Sequence, residues 1–547
     1  MTSETTLSAV SRVPRLHYAV IVAMTLFAFF WGSYGLNNDP LYFDGEVLSL
    51  GHIGALPSQP DYSIVDTLQS VAHWSPQHSP GYFVVLNLYY RLICVSNPAI
   101  LRTLALFLGV LFVPMMYRLG TQAVSRRVGL IAAVIAGASF PFIDMLHAVR
   151  MYAPLVMTLA FVLGQYLYIV KRKREPGLGV WVALFIGSAA ALYLSYLAIF
   201  AFVGMGAYHL LVVKKDRRWW KVTGVMLLVG VAFLPWLDVM IHGQNVRSVL
   251  DNPLNMNGAM LAYASMLSNG GLLLLGTAVL SAAGAVLQSI SVRKLVVIWG
   301  GTALAFFVFH TIDPLVSTSR SRYFIVLFPA SILMIAVGFD WLDKWRVLHR
   351  IRWKQVTLTV VMLILWVGMG LYARNKNFLN IYYTTGLKQQ DLHTPYHIYL
   401  TVLPRYVSPG DTVVTFTGRA AAVEPTKMGI SSADYYFSEL GVRYVSFIDE
   451  YDPVDLEFAR AQMDLVMHDE TAFWLVVPQI RGDDNFVDYV RLLDERFIAC
   501  AETISDSDLS ITRYGVNQAA CDDPESVRLP VPAQPPYGEA VNLTNPP

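Results

Sequence analysis

Between Tyr18 and Leu371 the sequence returns repeatedly to apolar blocks of roughly twenty residues, the length a helix needs to cross a bilayer core about 30 Å thick; after Leu371 such blocks stop. Composition agrees with a membrane chain. Of 547 residues, 55% are hydrophobic and 14% charged, where about a quarter charged is usual in soluble domains. The net charge of +1 suggests no nucleic-acid partner, and three cysteines are too few for a disulfide scaffold or a cysteine-rich metal site. The first block follows Arg12 and Arg15. It is long for a secretory signal and has no small-residue cleavage site, so an uncleaved first helix is expected.

Candidate spans are 17–36, 100–119, 128–146, 151–170, 178–194, 196–213, 222–240, 270–290, 295–311, 322–340 and 356–373. A shorter apolar stretch, 82–95, begins behind His78-Ser79-Pro80-Gly81 and decides the topology. Short cytoplasmic loops are rich in Lys and Arg. If 82–95 does not span, the clusters Arg12/Arg15, Arg118/Arg126/Arg127, Lys171–Arg174, Lys214–Lys221, Arg293/Lys294 and Lys344–Lys354 all fall on one side. If it spans, the first cluster is separated from the rest. An interfacial helix is therefore expected there. Residues 37–99, 147–150, 241–269 and 312–321 are then outside, and so is everything after the last span.

The expected fold is a polytopic α-helical membrane protein with about eleven transmembrane helices (1–373, first outer loop 37–99) and a small extracytoplasmic α/β domain (374–525). Ser408-Pro409-Gly410-Asp411 is a turn signal leading into a strand at 412–416; 443–448 and 473–477 are further strands, and 484–497 is an amphipathic helix. Ser510 to Tyr514 reads as a terminal strand. The Pro-rich tail 526–547 is expected to be disordered. Cys500 and Cys521 share this domain and are expected to bond if the compartment is oxidising, two free thiols being the alternative.

Polar residues collect in the outer segments, where charge beside a bilayer tends to mark function. Asp44 and Glu46 follow the first span and suit a general base or metal ligand. Residues two apart do not share a helix face, so a helix there would present one acid, an extended strand both. His73 and His78 flank the break at Pro80, and His78 suits a phosphate or a metal. Asp144, His147 and Arg150 step by three and would share one helix face, with Tyr152 beside them. Arg320 and Arg322 start a span at its outward end, against the positive-inside bias, with His310, Asp313 and Tyr323 nearby. Planar guanidinium donors match phosphate oxygens. Solvated loop acids, a solvated histidine, snorkelling arginines and an Arg–Asp313 pair are the corresponding structural readings. Acids, histidines and arginines on one face of a bundle fit an enzyme acting on a membrane lipid that carries a phosphate.

The order of these features resembles the polyprenyl-phosphate-sugar-dependent glycosyltransferases of the GT-C fold. Nearest is glycosyltransferase family 39, with the protein O-mannosyltransferases and lipid A aminoarabinose transferases as relatives. The residues carrying the resemblance are Asp44-Gly45-Glu46, His78-Ser79-Pro80, Arg102-Thr103-Leu104 through Arg118-Leu119-Gly120, Arg126-Arg127-Val128-Gly129-Leu130, Ala148-Val149-Arg150-Met151-Tyr152-Ala153, Leu192 to Tyr196, Leu234-Pro235-Trp236 and Ser321-Arg322-Tyr323 to Pro329. Departures are Gly45 inside the acidic pair, Ala148 where the family often has Glu, Ser79 for a Pro and Ser195 where a His is common. The resemblance implies sugar transfer from a polyprenyl-phosphate donor to a protein, lipid or glycan acceptor at the outer face. Asp44 or Glu46 would be the base. His78, Asp144, His147, Arg150, Tyr152, Arg320 and Arg322 would serve substrate or phosphate. Partners would be the donor, the acceptor and membrane lipids, with a divalent metal optional and no other cofactor.

A transporter or flippase would instead place charges near the midplane and show inverted repeats; the charges here lie at span ends, and no internal repeat is found. A non-catalytic assembly protein is the third reading, kept open by Ala148. The topology is testable: a single cysteine introduced near Asp411 should react with an impermeant reagent added outside, and one near Arg172 should not. The reverse pattern sinks the topology.

Overall fold

The computed structural model describes residues 14–36, 43–56, 61–172, 174–246, 253–317, 321–343, 356–375, 402–417, 437, 440–448, 456–478, 485–501, 504–506, 509–523 and 538–542. The chain forms two compact units. The first comprises Met1–Leu36, Arg102–Asp238 and Val249–Gly386; the second comprises Asn37–Leu101, Val239–Ser248 and Leu387–Pro547.

In chain order the first helices are α1 (Arg15–Ser33), α2 (Phe43–His52), α3 (Ile64–Trp74), α4 (Gly81–Ile93), α5 (Pro98–Val110) and α6 (Phe112–Ala123). Then come α7 (Arg126–Gly137), α8 (Phe140–Leu146), α9 (Tyr152–Lys171), α10 (Leu178–Leu194), α11 (Ala198–Leu211) and α12 (Arg217–Val246). Next are α13 (Met256–Leu267), α14 (Leu272–Gln288), α15 (Ile290–Ile312), a 3-10 turn at Ser321–Leu327, α16 (Phe328–Leu342) and α17 (Val356–Asn375).

Every block read as a span falls on a helix, but the helices differ in length. Among the described residues six helical segments, counting α5–α6 and the 3-10 turn with α16 as one each, are long and apolar enough to cross a membrane, and the count reaches eight if the bent pairs α7–α8 (59°) and α13–α14 (95°) each make one span. The blocks at 178–194, 196–213 and 356–373 become shorter apolar helices. At 1.5 Å per residue, the 17 residues of α10 give about 25 Å, short of a 30 Å core. The chain is thus a multi-pass membrane protein.

The two bends are joined by one side chain. Asn269 lies in the break between α13 and α14 with φ +52°, in the left-handed region that Asn tolerates better than most residues. Its Nδ2 donates to the carbonyls of Ala138 (2.8 Å) and Trp366 (2.9 Å), and its Oδ1 accepts from Phe140 N–H (2.8 Å). Ala138 and Phe140 flank the break between α7 and α8, where Pro141 has no N–H to give. Elsewhere Gly120 and Gly129 let α6 and α7 touch backbone to backbone; a Cβ on Gly120 would lie 2.6 Å from Gly129 Cα. Arg127 of α7 pairs with Asp340 (3.1 Å) and Asp343 of α16, and Thr359 of α17 donates to Asp343 (2.7 Å).

In the second unit the segment read as an outer loop holds three helices. A capping box starts α3, Ser63 accepting from Asp66 N–H while Asp66 accepts from Ser63 N–H. At 13 residues, or about 20 Å, α4 is too short to span. In the first unit the expected loop at 241–269 contains α13, started by the Asn255 cap.

The C-terminal part folds as α/β. Strands β1 (Thr412–Thr417), β2 (Arg443–Ile448), β3 (Ala472–Pro478), β4 (Ile498–Ala499), β5 (Ile504–Asp506), β6 (Leu509–Gly515) and β7 (Gly538–Asn542) run with α18 (Leu456–Val466), α19 (Asn485–Asp494) and α20 (Gln518–Asp522). The sheet order is β4-β6-β3-β1-β2-β7, with β5 also on β6. Strands β1, β2, β3 and β7 are parallel, and β6 runs antiparallel to β3. Phe473 stacks on Tyr514 (5.4 Å, 4°) in a core with Val414, Phe447, Met463 and Tyr489. Cys500 and Cys521 are bonded, with Cα atoms 5.1 Å apart. Closing about 20 residues of chain in this way is worth roughly 3 kcal/mol by loop entropy. Within the tail expected to be disordered, residues 538–542 form β7; the rest of that tail lies outside the described residues. Composition counts side chains, whereas an edge strand gains backbone hydrogen bonds whatever its side chains are.

Asn269→Leu strands three buried backbone groups, each costing about 1–3 kcal/mol. The expected outcome is a clearly lower unfolding midpoint in detergent. An unchanged midpoint would mean that the bends do not depend on Asn269.

Candidate active site

Helix α8 has seven residues and stops at Leu146; His147 caps it, its N–H turning back to the Asp144 carbonyl at 3.1 Å. Asp144, His147 and Arg150 therefore do not share one helix face as their spacing suggested. They divide between two groups.

In the first group an arginine from the last helix, Arg374, reaches Asp144 and His147. Its Nη2 donates to His147 Nε2 (2.7 Å), its Nη1 to the Trp31 carbonyl (2.6 Å), and its Nε lies 3.5 Å from Asp144 Oδ1. Trp31 belongs to the last turn of α1, whose carbonyls have no helical partner. The guanidinium also lies over the Trp31 ring, 5.7 Å from its centroid.

In the second group Arg322 Nε donates to the Tyr152 hydroxyl (3.0 Å), and the Arg150 guanidinium is close enough to act on the same hydroxyl electrostatically. Tyr152 opens α9, and Tyr323 packs against it at 6.4 Å. Tyr152 and Arg150 are buried, 2% and 4% exposed. Arg102 is also buried and donates to the Leu36 carbonyl just past α1 (2.7 Å). Desolvated guanidiniums favour an anion strongly, because little water competes for it. Arrayed this way they offer planar donors to phosphate oxygens.

The second unit carries the other candidates. Asp44 and Glu46 both lie on α2, two positions apart, a spacing that does not share a helix face. Glu46 is fully buried; the Asp44 side chain lies outside the described residues. Further along α2, His52 Nδ1 bonds Ser70 Oγ on α3 (2.9 Å), and its ring meets Phe83 of α4 edge-on at 4.9 Å. His78 is buried in the turn before α4, its ring 6.2 Å from Phe83. That turn is braced by a close backbone contact: a Cβ on Gly243 of α12 would lie 2.3 Å from the Pro76 carbonyl.

Other sequence candidates fare differently. Arg320 lies outside the described residues. His310 is a structural staple, its Nε2 donating to the Leu254 carbonyl (2.9 Å) and its Nδ1 accepting from Leu315 N–H (2.9 Å). His73 packs edge-on against Trp74 at 4.4 Å. Among the described residues no three His, Cys, Asp or Glu side chains gather as a metal would require; the Asp44 side chain, an expected candidate, lies outside them. Arg374 and Arg102 were missed. The reasoning that singled out Arg322, an arginine at the outward end of a span, applies equally to Arg374.

Gly243→Val drives a Cβ into the backbone of Pro76 and Gln77, so the 76–78 turn must move; turnover should fall severalfold or more and the unfolding temperature should fall with it. Wild-type turnover would show that the placement of His78 is immaterial.

The sequence matches no protein-family model and no curated protein. Solved structures do match. ArnT from Cupriavidus metallidurans bound to undecaprenyl phosphate aligns with TM-score 0.55 at 13% identity, over 91% of this chain and 97% of that one. Its apo form aligns with TM-score 0.54 at 11% identity, over 92% and 98%. An oligosaccharyltransferase from Archaeoglobus fulgidus aligns more weakly, with TM-score 0.45 at 12% identity, over 92% and 74%. Nearly end to end, the chain has the GT-C fold of the two ArnT structures.

Proposed function

We propose that the protein is a membrane glycosyltransferase that moves a sugar from a polyprenyl-phosphate donor to an acceptor at the outer face of the membrane. The observation that carries this reading is the bond from half-buried Arg322 to the hydroxyl of buried Tyr152, with the buried Arg150 guanidinium beside it. A GT-C structure that matches 91% of this chain over 97% of its own holds undecaprenyl phosphate, and a phosphate monoester is the ligand such donors suit. In the reaction the acceptor oxygen or nitrogen attacks the anomeric carbon, and the bond from that carbon to the phosphate oxygen breaks. The phosphate leaves with the electron pair, so negative charge grows on it and guanidiniums there lower the barrier. The acceptor proton goes to a carboxylate, Glu46 or Asp44. A single displacement inverts the anomeric centre. The one-sided basic clusters support the outward orientation. So does the Cys500–Cys521 bond, since disulfides persist in oxidising compartments.

Purified protein given labelled polyprenyl-phosphate sugars and membrane acceptors should release polyprenyl phosphate and label an acceptor. Asp44→Asn or Glu46→Gln should lower turnover by about 10²–10⁴-fold in at least one case, the usual worth of a general base. Arg150→Lys or Arg322→Lys keeps the charge but loses the planar fork and should weaken donor binding. Wild-type turnover in both acid variants would put the base elsewhere, and unchanged donor affinity in both arginine variants would refute the phosphate site.

A further inference from the structure

We infer that Arg374 is a positioning residue that fixes the tautomer of His147, so that the imidazole serves as a hydrogen-bond donor through Nδ1 and not as a general base. The role toward substrate rests on the glycosyl-transfer reading; the tautomer itself does not. A guanidinium has N–H donors and no acceptor. At 2.7 Å from Arg374 Nη2, His147 Nε2 must therefore accept, and the ring hydrogen sits on Nδ1. Which ring nitrogen is protonated follows from the bond the other one makes.

The guanidinium is itself held in place. Its Nη1 donates to the Trp31 carbonyl at 2.6 Å, Nη2 lies 3.5 Å from the Tyr34 carbonyl, and Nε faces Asp144 Oδ1 at 3.5 Å. Its side chain is 17% exposed. To release Nε2, the fork would have to leave the end of α1. Among the described residues, the charged groups around the pair are Asp144 from α8, Arg374 from α17 and Arg150 three residues along the chain; α1 contributes carbonyls and the Trp31 ring. Nε2 is engaged and Nδ1 already carries a hydrogen, so neither nitrogen can take the acceptor proton. Proton removal is left to a carboxylate.

Ring-nitrogen NMR of 15N-histidine protein in nanodiscs tests the tautomer without any substrate, with His147→Gln to assign the signal. Wild type should show Nε2 bare and Nδ1 protonated; Arg374→Gln should show mixed tautomers. The second measurement is binding of undecaprenyl phosphate by the wild type. Should Arg374→Gln not fold, Arg374→Met, which has no N–H donor, is read the same way. A wild-type ring protonated at Nε2, or wild-type tautomers in the variant that folds, overturns the inference. Wild type that binds no undecaprenyl phosphate while showing the expected tautomer sinks the glycosyltransferase reading and leaves the Arg374–His147 assignment standing.

Discussion

A backbone inside a bilayer has no water to fall back on, so each break in a spanning helix must be repaired by another part of the protein. The bond set of Asn269 is that repair. One carboxamide supplies two donors and an acceptor to Ala138, Trp366 and Phe140, groups on both sides of the α7–α8 break and on α17. Only because the break is repaired can α8 leave the line of α7 at 59°. Asp144 and His147 ride on that departing piece, and Arg150 and Tyr152 follow directly in the chain. The geometry of the polar end of the first unit thus begins with an amide well away in sequence from every residue that would touch a substrate.

The arginines at that end have different tasks. Arg102 and Arg374 spend bonds on backbone carbonyls at the end of α1, while Arg150 and Arg322 share a side-chain hydroxyl. The first pair is bonded to backbone at the end of one helix, the second engages a side chain that opens another.

Much of this was legible in the sequence. The apolar blocks mark helix after helix, because burying backbone in lipid demands a length that few other structures need. Strand 443–448 coincides with its β-branched and aromatic run, and strands 412–417 and 472–478 lie within a residue of theirs. Local signals carried those elements. What escaped was tertiary. The step of three from Asp144 to Arg150 presumes a helix that continues, whereas α8 ends after seven residues. Arg374 finds His147 across 227 positions, and no spacing rule reaches that far. The strand at 538–542 owes its place to a partner, Tyr444 to Ile448, and not to its own composition.

The contact of Arg374 with Trp31 spans 343 positions and joins the end of the first spanning helix to the end of the last one described. Membrane helices are synthesised and inserted in order, so α1 and α8 are in place well before α17 exists. Until then the final carbonyls of α1 lack this donor, and His147 Nε2 lacks its guanidinium partner. The arrangement around His147 is therefore completed late in assembly. A chain halted before α17 would carry most of the bundle yet lack the fork that sets its chemistry.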